Sequence, residues 1–217
     1  MDLDPAQSGA LVDRFGDDRV RFVPCDVTDQ AAVAQAVEQI EAWNRPIRML
    51  VTCAGIQIVA ESFDLPAADW KRVLSVHLDG TFYWCQAAGR AMRDAGGGSI
   101  VTVGSIAQDF GFPGRAAYTT SKAGIGGLTR VLAVEWAPSG IRVNSVIPGM
   151  VETPLFQRAA AQGIVDAEAA ASEHALDRLG STAEIAEAIQ FLLSERASFI
   201  TGELVHVDGG FRALRLE

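Results

Sequence analysis

The stretch that decides the fold runs from residue 99 to residue 136 and reads SIVTVGSIAQDFGFPGRAAYTTSKAGIGGLTRVLAVEW. Its first six residues, Ser99–Gly104, are rich in β-branched side chains, which predicts a buried strand. Its last part, Ala116–Trp136, carries apolar residues on more than one side, which predicts a long and largely buried helix. A strand followed by such a helix is the unit from which parallel α/β sheets are built.

The candidate catalytic residues of this stretch are Ser105, Tyr118 and Lys122. Tyr118 and Lys122 are four residues apart, so they lie on one face of the predicted helix. A cation held there stabilises a phenolate. We therefore expect the pKa of Tyr118 to fall from about 10 toward neutrality, where the residue can act as a general acid or base. Two purely structural interpretations are also open. Tyr118 could stack on the aliphatic stem of Lys122 at the surface, and Ser105 could only cap the next turn.

Strand and helix patterns alternate along the whole chain. Apolar strands that alternate with helices predict a single α/β domain, residues 1–217, with helices on both faces of a mostly parallel sheet. The segment 148–180 has no clear sheet partner, and we expect it to be an irregular, mobile flap over a site. The predicted strands are Val20–Cys25, Arg48–Cys53, Ser99–Gly104, Arg142–Ile147 and Glu203–Val207, and the predicted helices are Asp29–Trp43, Leu74–Met92, Ala116–Trp136 and one that starts with a capping box of Ser181 and Glu184.

The composition limits the kinds of partner and compartment. The 217 residues carry a net charge of −9, which argues against nucleic acid or an anionic membrane surface as a partner. No apolar run approaches the roughly 18 residues of a membrane span, and the first residues lack the pattern of a signal peptide. Cys25, Cys53 and Cys85 suit neither a disulfide framework nor a zinc site. We expect buried thiols, a cytoplasmic protein and no bound metal.

Six motifs in sequence order make the chain resemble the short-chain dehydrogenase/reductase family, whose members move a hydride between NAD(P) and a carbonyl or alcohol. The resemblance covers the whole chain and implies a Rossmann-like three-layer α/β/α fold. The motifs are Asp26-Val27, Cys53-Ala54-Gly55, Ser105, Tyr118-x-x-x-Lys122, Pro148-Gly149-x-x-x-Thr153, and Thr201-Gly202 with Val207-Asp208-Gly209-Gly210.

The resemblance implies a role for each of these site residues. Tyr118 would act as the general acid or base at the substrate oxygen, and Ser105 would donate a hydrogen bond to the same oxygen. Lys122 would lower the pKa of Tyr118 and bind the nicotinamide ribose. The implied cofactor contacts are Asp26 and Val27 at the adenine, Cys53, Ala54 and Gly55 along the adenosine, and Pro148, Gly149, Val151 and Thr153 at the nicotinamide.

Two departures from the family pattern fall inside the implied site. The family has an Asn that supports a water-mediated proton relay, and this chain has His77 in its place. His77 is either a catalytic relay group, because imidazole titrates near neutrality, or a tolerated substitution. The family's Asn-Asn-Ala-Gly is Thr52-Cys53-Ala54-Gly55 here, so two side-chain contacts are altered.

A third departure concerns the phosphate-binding turn. The family begins with a strand, a Thr-Gly-x-x-x-Gly-x-Gly turn, a helix and a second strand, and this unit has no counterpart in the sequence. In the family's strand order, 3-2-1-4-5-6-7, the two missing strands would lie between Val20–Cys25 and Arg48–Cys53. We expect either a working protein that carries this unit or a remnant in which the two segments pair directly. Asp2 matches the acidic tip that binds the ribose hydroxyls and favours NAD over NADP.

The implied function is hydride transfer between NAD(P) and a secondary alcohol or ketone, with NAD as the expected cofactor. The mostly small apolar side chains of Val151–Ala175 predict a small uncharged substrate. The alternative function is that of a catalytically inactive relative that serves as an oligomer subunit. The resemblance also implies a homodimer or homotetramer assembled through helices 74–92 and 116–136.

Overall fold

The computed structural model describes residues 6–16, 18–43, 46–161, 163 and 165–214. Its strands are Met49–Thr52 (β1), Gly98–Val103 (β2), Ile141–Pro148 (β3) and Leu204–Val207 (β4). They form one parallel sheet in the order β1-β2-β3-β4. The sequence predicted each of these four strands to within one residue at either end.

Helices connect the strands, and the longest of them, α5, has the predicted bounds. A π-helical segment, Ser75–Asp79, joins α3 to α4, and short 3-10 turns follow at Ile106–Gln108, Ala137–Ser139 and Glu195–Ala197. The helices are Ala6–Phe15 (α1), Gln30–Glu41 (α2), Ala67–Leu74 (α3), Gly80–Asp94 (α4), Ala116–Trp136 (α5), Pro154–Ala161 (α6), Ala167–Ser172 (α7), Thr182–Leu193 (α8) and Phe211–Leu214 (α9).

Successive residues of β2 enter different apolar clusters. Ile100 packs with Val143 and with side chains of α2, α4 and α5, whereas Val101 packs with Val146 and with Leu192 of α8. Because neighbouring strand residues point to opposite faces, the two clusters lie on the two sides of the sheet. The fold is therefore the predicted three-layer α/β/α arrangement around a parallel sheet.

Side-chain caps start the helices where the sequence predicted them. The Asp29 carboxylate accepts hydrogen bonds from the first turn of α2. Ser181 and Glu184 form the predicted capping box of α8. The helix predicted at Leu74–Met92 is longer than expected: it begins as α3 after Pro66, passes through the π-helical segment and ends with α4. Only Val73 is buried in α3, so its apolar pattern is too sparse to mark the true start.

The predicted strand Val20–Cys25 does not form. In the described structure this segment has one isolated bridge, at Pro24, and the paired neighbour of β1 is β2. Proline has no N–H to donate to a ladder, which limits this segment to a single bridge and prevents a continuous strand. The predicted remnant in which Val20–Cys25 pairs with Arg48–Cys53 is therefore wrong. Cys25 and β1 instead line a groove of about 670 Å³.

The segment 148–180, predicted to be irregular, contains the helices α6 and α7. Its two ends are joined by a parallel bridge between Val151 and Gly180. The Gly180 N–H donates to the Met150 carbonyl at 3.0 Å, and the Glu152 N–H donates to the Gly180 carbonyl at 2.9 Å. The sequence missed this pairing because each partner contributes a single residue, which leaves no strand pattern to detect.

The cysteines differ in burial from the prediction. Cys25 and Cys85 are buried, but Cys53 is exposed because it follows β1 at the groove. Within the described ranges, no group of three or more His, Cys, Asp or Glu residues could hold a metal ion. Among the same residues, no helix has the length and apolar character needed to cross a membrane.

Candidate active site

Ser105 lies just beyond the carboxyl end of β2, where it caps the 3-10 turn that follows. Its Oγ accepts a hydrogen bond from the Ala107 N–H at 3.1 Å. A hydroxyl has one donor and two acceptor positions, so the cap leaves the Ser105 hydrogen available. Ser105 therefore caps the next turn, as the structural interpretation predicted, and its hydroxyl can still take part in a reaction.

Tyr118 lies in the first turn of α5, half-buried, with its side chain close enough to Ser105 for that residue to affect its pKa. Burial raises the pKa of Tyr118, and this effect outweighs the lowering by the nearby Ser105 hydroxyl and by the Arg115 charge. We expected the pKa to be lowered by Lys122, and the structure shows the opposite direction. Tyr118 is therefore a neutral phenol at pH 7.

Lys122 is buried one turn further along α5. Its Nζ donates to the Val103 carbonyl at 2.7 Å and lies 5.6 Å from the centroid of the Tyr118 ring. Burial lowers the pKa of Lys122 to about 8, and the nearby Cys53 acts in the opposite direction. The ammonium thus faces the Tyr118 ring and a backbone carbonyl.

His77 is 3% exposed and lies in the π-helical segment. Its ring meets the Tyr118 ring edge-on, with centroids 5.2 Å apart. Burial, and then the Lys122 charge, lower the pKa of His77 to about 4. His77 is therefore neutral at pH 7, which removes the near-neutral titration on which the relay interpretation depended.

A single nitrogen of His77 faces the backbone of Ile56. Nε2 lies 2.7 Å from the Ile56 carbonyl oxygen and 3.1 Å from the Ile56 nitrogen. Nδ1 is buried and has no hydrogen-bond partner in the described structure. A Cβ on Gly55 would lie 2.5 Å from the His77 Cε1, so the imidazole occupies the space that any side chain at Gly55 would need.

The implied adenosine contacts come together at the groove beside β1. Its lining residues include Asp26 and Val27 on one side and Cys53, Ala54 and Gly55 on the other. Hydrogen bonds from the Thr28 N–H and hydroxyl, at 2.9 and 2.8 Å, lower the pKa of Asp26 and keep it ionised. Asp2, expected at the ribose, lies outside the described residues.

The implied nicotinamide contacts lie at the end of β3, apart from that groove. Pro148 ends β3, and Val151 forms the bridge to Gly180. Thr153 is a helix cap, because its Oγ1 accepts from the Phe156 N–H at 3.1 Å at the start of α6. A Cβ on Gly149 would lie 2.8 Å from the His174 Nε2. The loops after parallel strands meet at one edge of the sheet, so this segment shares that edge with Ser105 and Cys53.

Several groups that hold the site together were missed by the sequence reasoning. The Val103 carbonyl, the Ile56 backbone and the Met150 amide all contact candidate site residues or their neighbours. Backbone groups carry no residue-type signal, so no pattern could have identified them. His174, which belongs to none of the six motifs, is buried among residues of the nicotinamide segment.

A parallel α/β sheet with a buried Lys, a Tyr and a Ser at its carboxyl edge fits a nucleotide-dependent oxidoreductase, since such sheets bind their ligands at that edge. The family model described as "Enoyl-(Acyl carrier protein) reductase" matches residues 2–212. The chain belongs to the short-chain dehydrogenase/reductase family.

Several relatives are named for a dehydrogenase or reductase activity. D-threitol dehydrogenase of Mycolicibacterium smegmatis is 37% identical over 97% of this chain and 81% of its own length. (3R)-3-hydroxyacyl-CoA dehydrogenase of Rattus norvegicus is 38% identical over 85% of this chain and 71% of its own length. The solved structure "ElxO with NADP Bound" is 29% identical, with a TM-score of 0.89, over 96% of this chain and 85% of that one.

These similarities confirm the predicted function class. The protein is an NAD(P)-dependent oxidoreductase that acts on CH–OH groups. The alternative of an inactive subunit is not favoured, because the relatives described above are named for dehydrogenase activity.

Proposed function

We propose that Tyr118, Ser105 and Lys122 carry out the proton chemistry of hydride transfer between NAD(H) and a small uncharged secondary alcohol or ketone. The observation that carries the proposal is the proximity of three groups: Ser105 lies near the Tyr118 side chain, and the buried Lys122 Nζ lies 5.6 Å from the centroid of the Tyr118 ring. Three groups of this kind at the carboxyl edge of a parallel sheet can hold one oxygen atom and exchange a proton with it.

Each of the three side chains has a distinct task in this proposal. Tyr118, with its raised pKa, is protonated at pH 7 and donates its proton to a carbonyl oxygen. The Ser105 hydroxyl, which can rotate, donates to the same oxygen and stabilises the negative charge that develops there. Lys122, held by Val103, supplies a positive charge behind the Tyr118 ring. A bound nicotinamide supplies or takes up the hydride.

The residues at the groove fit the adenosine half of the cofactor. The groove of about 670 Å³ offers the ionised Asp26 carboxylate as an acceptor for an amino group and the Ala54–Gly55 backbone for close approach. We propose NAD as the cofactor because of Asp2, although the ElxO relative carries NADP. Parallel titrations with NADH and NADPH test this choice, and tighter binding of NADPH would contradict it.

The open side of β1 supports the proposal that the working protein has two more strands beside it. Met49 is 59% exposed and Val51 is 38% exposed, although each would be buried in a sheet that continued past β1. The exposed residues of β1 and the groove next to it both support the presence of two more strands. The intact mass of the protein from its native cell tests the proposal: a mass of 23.1 kDa would exclude a longer chain.

We further propose that the enzyme is an oligomer in a reducing, cytoplasmic environment. Val131 and Val134 of α5 are 52% and 78% exposed, which supports an interface through α5. The three free cysteines support a reducing compartment. Light scattering of the purified protein tests the assembly, and a monomer at micromolar concentration would contradict it.

The decisive experiment replaces Tyr118 with Phe and compares oxidation of D-threitol and other small secondary alcohols with NAD⁺ and NADP⁺. Turnover should fall by at least about 10²-fold, because the variant has no proton to exchange. Tyr83→Phe is the matched control, since Tyr83 is the other tyrosine of the chain and should leave turnover unchanged.

Near-normal turnover in Tyr118→Phe would remove Tyr118 from the mechanism. If the wild-type protein binds NADH but oxidises none of these alcohols, the proposed substrate class is wrong. If it binds neither NADH nor NADPH, the assignment of the groove to the adenosine is wrong.

A further inference from the structure

His174 lies where three distant parts of the chain meet. It follows α7, it is 3% exposed, and its ring meets the Phe211 ring edge-on with centroids 5.2 Å apart. Its Cβ lies 3.5 Å from the position that a Cβ on Gly209 would take. The ring therefore joins the end of segment 148–180 to the loop after β3 and to the C-terminal turn after β4.

The two ring nitrogens of His174 are both engaged, and their partners define the tautomer. The Met150 N–H can only donate, so Nε2 accepts this hydrogen bond, at 3.1 Å. The Ala170 carbonyl can only accept, so Nδ1 carries the proton and donates to it, at 2.9 Å. One neutral tautomer satisfies both bonds, and no rotation of the ring could exchange them.

Met150 is held on both sides by the end of segment 148–180. Its N–H is bound by His174, and its carbonyl accepts from the Gly180 N–H at 3.0 Å. The neighbouring Gly149 is in close contact as well, since a Cβ there would lie 2.8 Å from the His174 Nε2 and 2.9 Å from the Asp208 Cα. The backbone between Pro148 and Val151 therefore has no freedom to shift unless the His174 ring moves.

We propose that His174 is a positioning residue that holds the backbone of residues 148–151 in place for the nicotinamide end of the cofactor. This inference rests on the proposed function and on the nicotinamide contacts that the resemblance implies for Pro148, Gly149 and Val151. His174 acts through the Met150 amide and touches neither the hydride nor the substrate oxygen. The hydrogen bond to Nε2 is the contact on which the effect depends.

Two amide variants separate the bonds of His174. The Gln amide oxygen can reach the position of Nε2, so His174→Gln keeps an acceptor for Met150. The Asn amide nitrogen takes the position of Nδ1, so His174→Asn keeps the donor to Ala170 and loses the acceptor for Met150. The Kd for NADH, measured by fluorescence titration, should rise about tenfold in His174→Asn, as expected for a lost buried hydrogen bond, and less than about threefold in His174→Gln.

A second readout does not require the cofactor. Hydrogen–deuterium exchange of the Met150 amide, measured on the protein without cofactor, should accelerate by about tenfold in His174→Asn and stay near the wild-type rate in His174→Gln. Faster exchange with an unchanged Kd for NADH in His174→Asn would overturn the proposal, because the bond would then be structural only. Equal losses in the Gln and Asn variants would also overturn it.

Binding of NADH by the wild-type protein distinguishes a failure of the proposed function from a failure of the role of His174. If the wild-type protein fails to bind NADH, the proposed function fails, and the positioning role built on it falls too, whatever the exchange rates are. If the wild-type protein binds NADH and His174→Asn binds it equally well, the proposed function stands and the role of His174 is refuted.

Discussion

The two buried histidines, His77 and His174, differ in how completely their ring nitrogens are hydrogen-bonded. Both ring nitrogens of His174 have a partner that suits one tautomer. His77 directs one nitrogen at both backbone groups of Ile56 and leaves Nδ1 without a partner in the described structure. No tautomer of His77 satisfies all of these groups at once. At least one polar group of His77 or Ile56 therefore lacks a hydrogen-bond partner next to Tyr118.

The lowered pKa of His77 makes the free energy of unfolding depend on pH in the acidic range. Its pKa is about 4 in the folded protein, against 6.5 for an exposed histidine. Between these two values a proton binds the unfolded chain more readily than the folded one, so stability falls as the pH is lowered. We expect the wild-type free energy of unfolding to fall, relative to that of His77→Gln, by up to about 3 kcal/mol from pH 6.5 to pH 4.

Urea unfolding at several pH values measures this difference. The other two histidines are present in both proteins, so their titration cancels in the comparison. A stability difference that stays constant over the window would show that His77 titrates alike in the folded and unfolded chains.

Lys122 is expected to be irreplaceable by Arg. Its buried Nζ makes a point contact with the Val103 carbonyl at 2.7 Å, and a planar guanidinium cannot be placed there without displacing the Tyr118 ring. We expect Lys122→Arg to lower kcat/KM by at least about 10²-fold. Lys71→Arg is the matched control, because Lys71 is exposed and is the other lysine of the chain. Equal activities of the two variants would contradict the role of Lys122.

At the scale of single elements, the region around α3 and α4 departs most from ideal geometry. The π-helical segment inserts an extra residue between these helices, and His77 lies at its centre. π-helical insertions are often found at functional sites, since they redirect side chains that a regular helix would place elsewhere. The insertion brings His77 to Ile56 and to the edge of the Tyr118 ring.

The capping box of α8 gives an element-scale prediction. Ser181 accepts from the Glu184 N–H at 3.2 Å, and the Glu184 carboxylate accepts from the Ser181 N–H at 2.8 Å. Ser181→Ala should lower the free energy of unfolding by about 1 kcal/mol, because the first turn of α8 loses its acceptor. Chemical denaturation measures the change.

Ser172→Ala is the control for that measurement. Ser172 is exposed, and its hydroxyl only donates to a carbonyl within its own helix, at 2.9 Å. The variant should stay within about 0.5 kcal/mol of the wild type. If both alanine variants lose the same stability, the capping box of α8 contributes nothing specific.

For the molecule as a whole, the main feature is that β1, among the residues that the structure describes, has a paired strand on one side only. β1 pairs with β2, and its opposite edge faces the groove. By contrast, β3 is paired on both sides, with β2 and β4. Edge strands expose half of their backbone donors, which makes them less stable than central strands.

Amide exchange followed residue by residue should show this difference. Along β1, amides that face β2 should be protected and the alternate amides should exchange quickly, whereas protection along β3 should be continuous. The measurement is hydrogen–deuterium exchange by NMR. Continuous protection along β1 would mean that another part of the protein covers its edge.

The sequence by itself determined the four strands, the bounds of α5, the cap of α8 and the function class. These features depend on residues that are neighbours along the chain, as with Tyr118 and Lys122 on one helical face or Ser181 and Glu184 in one turn. Residue-type patterns record such local relations directly.

Only the tertiary structure decided the state of the site. Burial raises the pKa of Tyr118 and lowers that of His77, the groove exposes Cys53, and Val20–Cys25 forms no strand in the part of the chain that the structure describes. The physical reason is that burial and pairing depend on groups that are distant in sequence. His77 meets Ile56 across 21 positions, and His174 meets Met150 across 24. No local pattern records which of these groups will lie together.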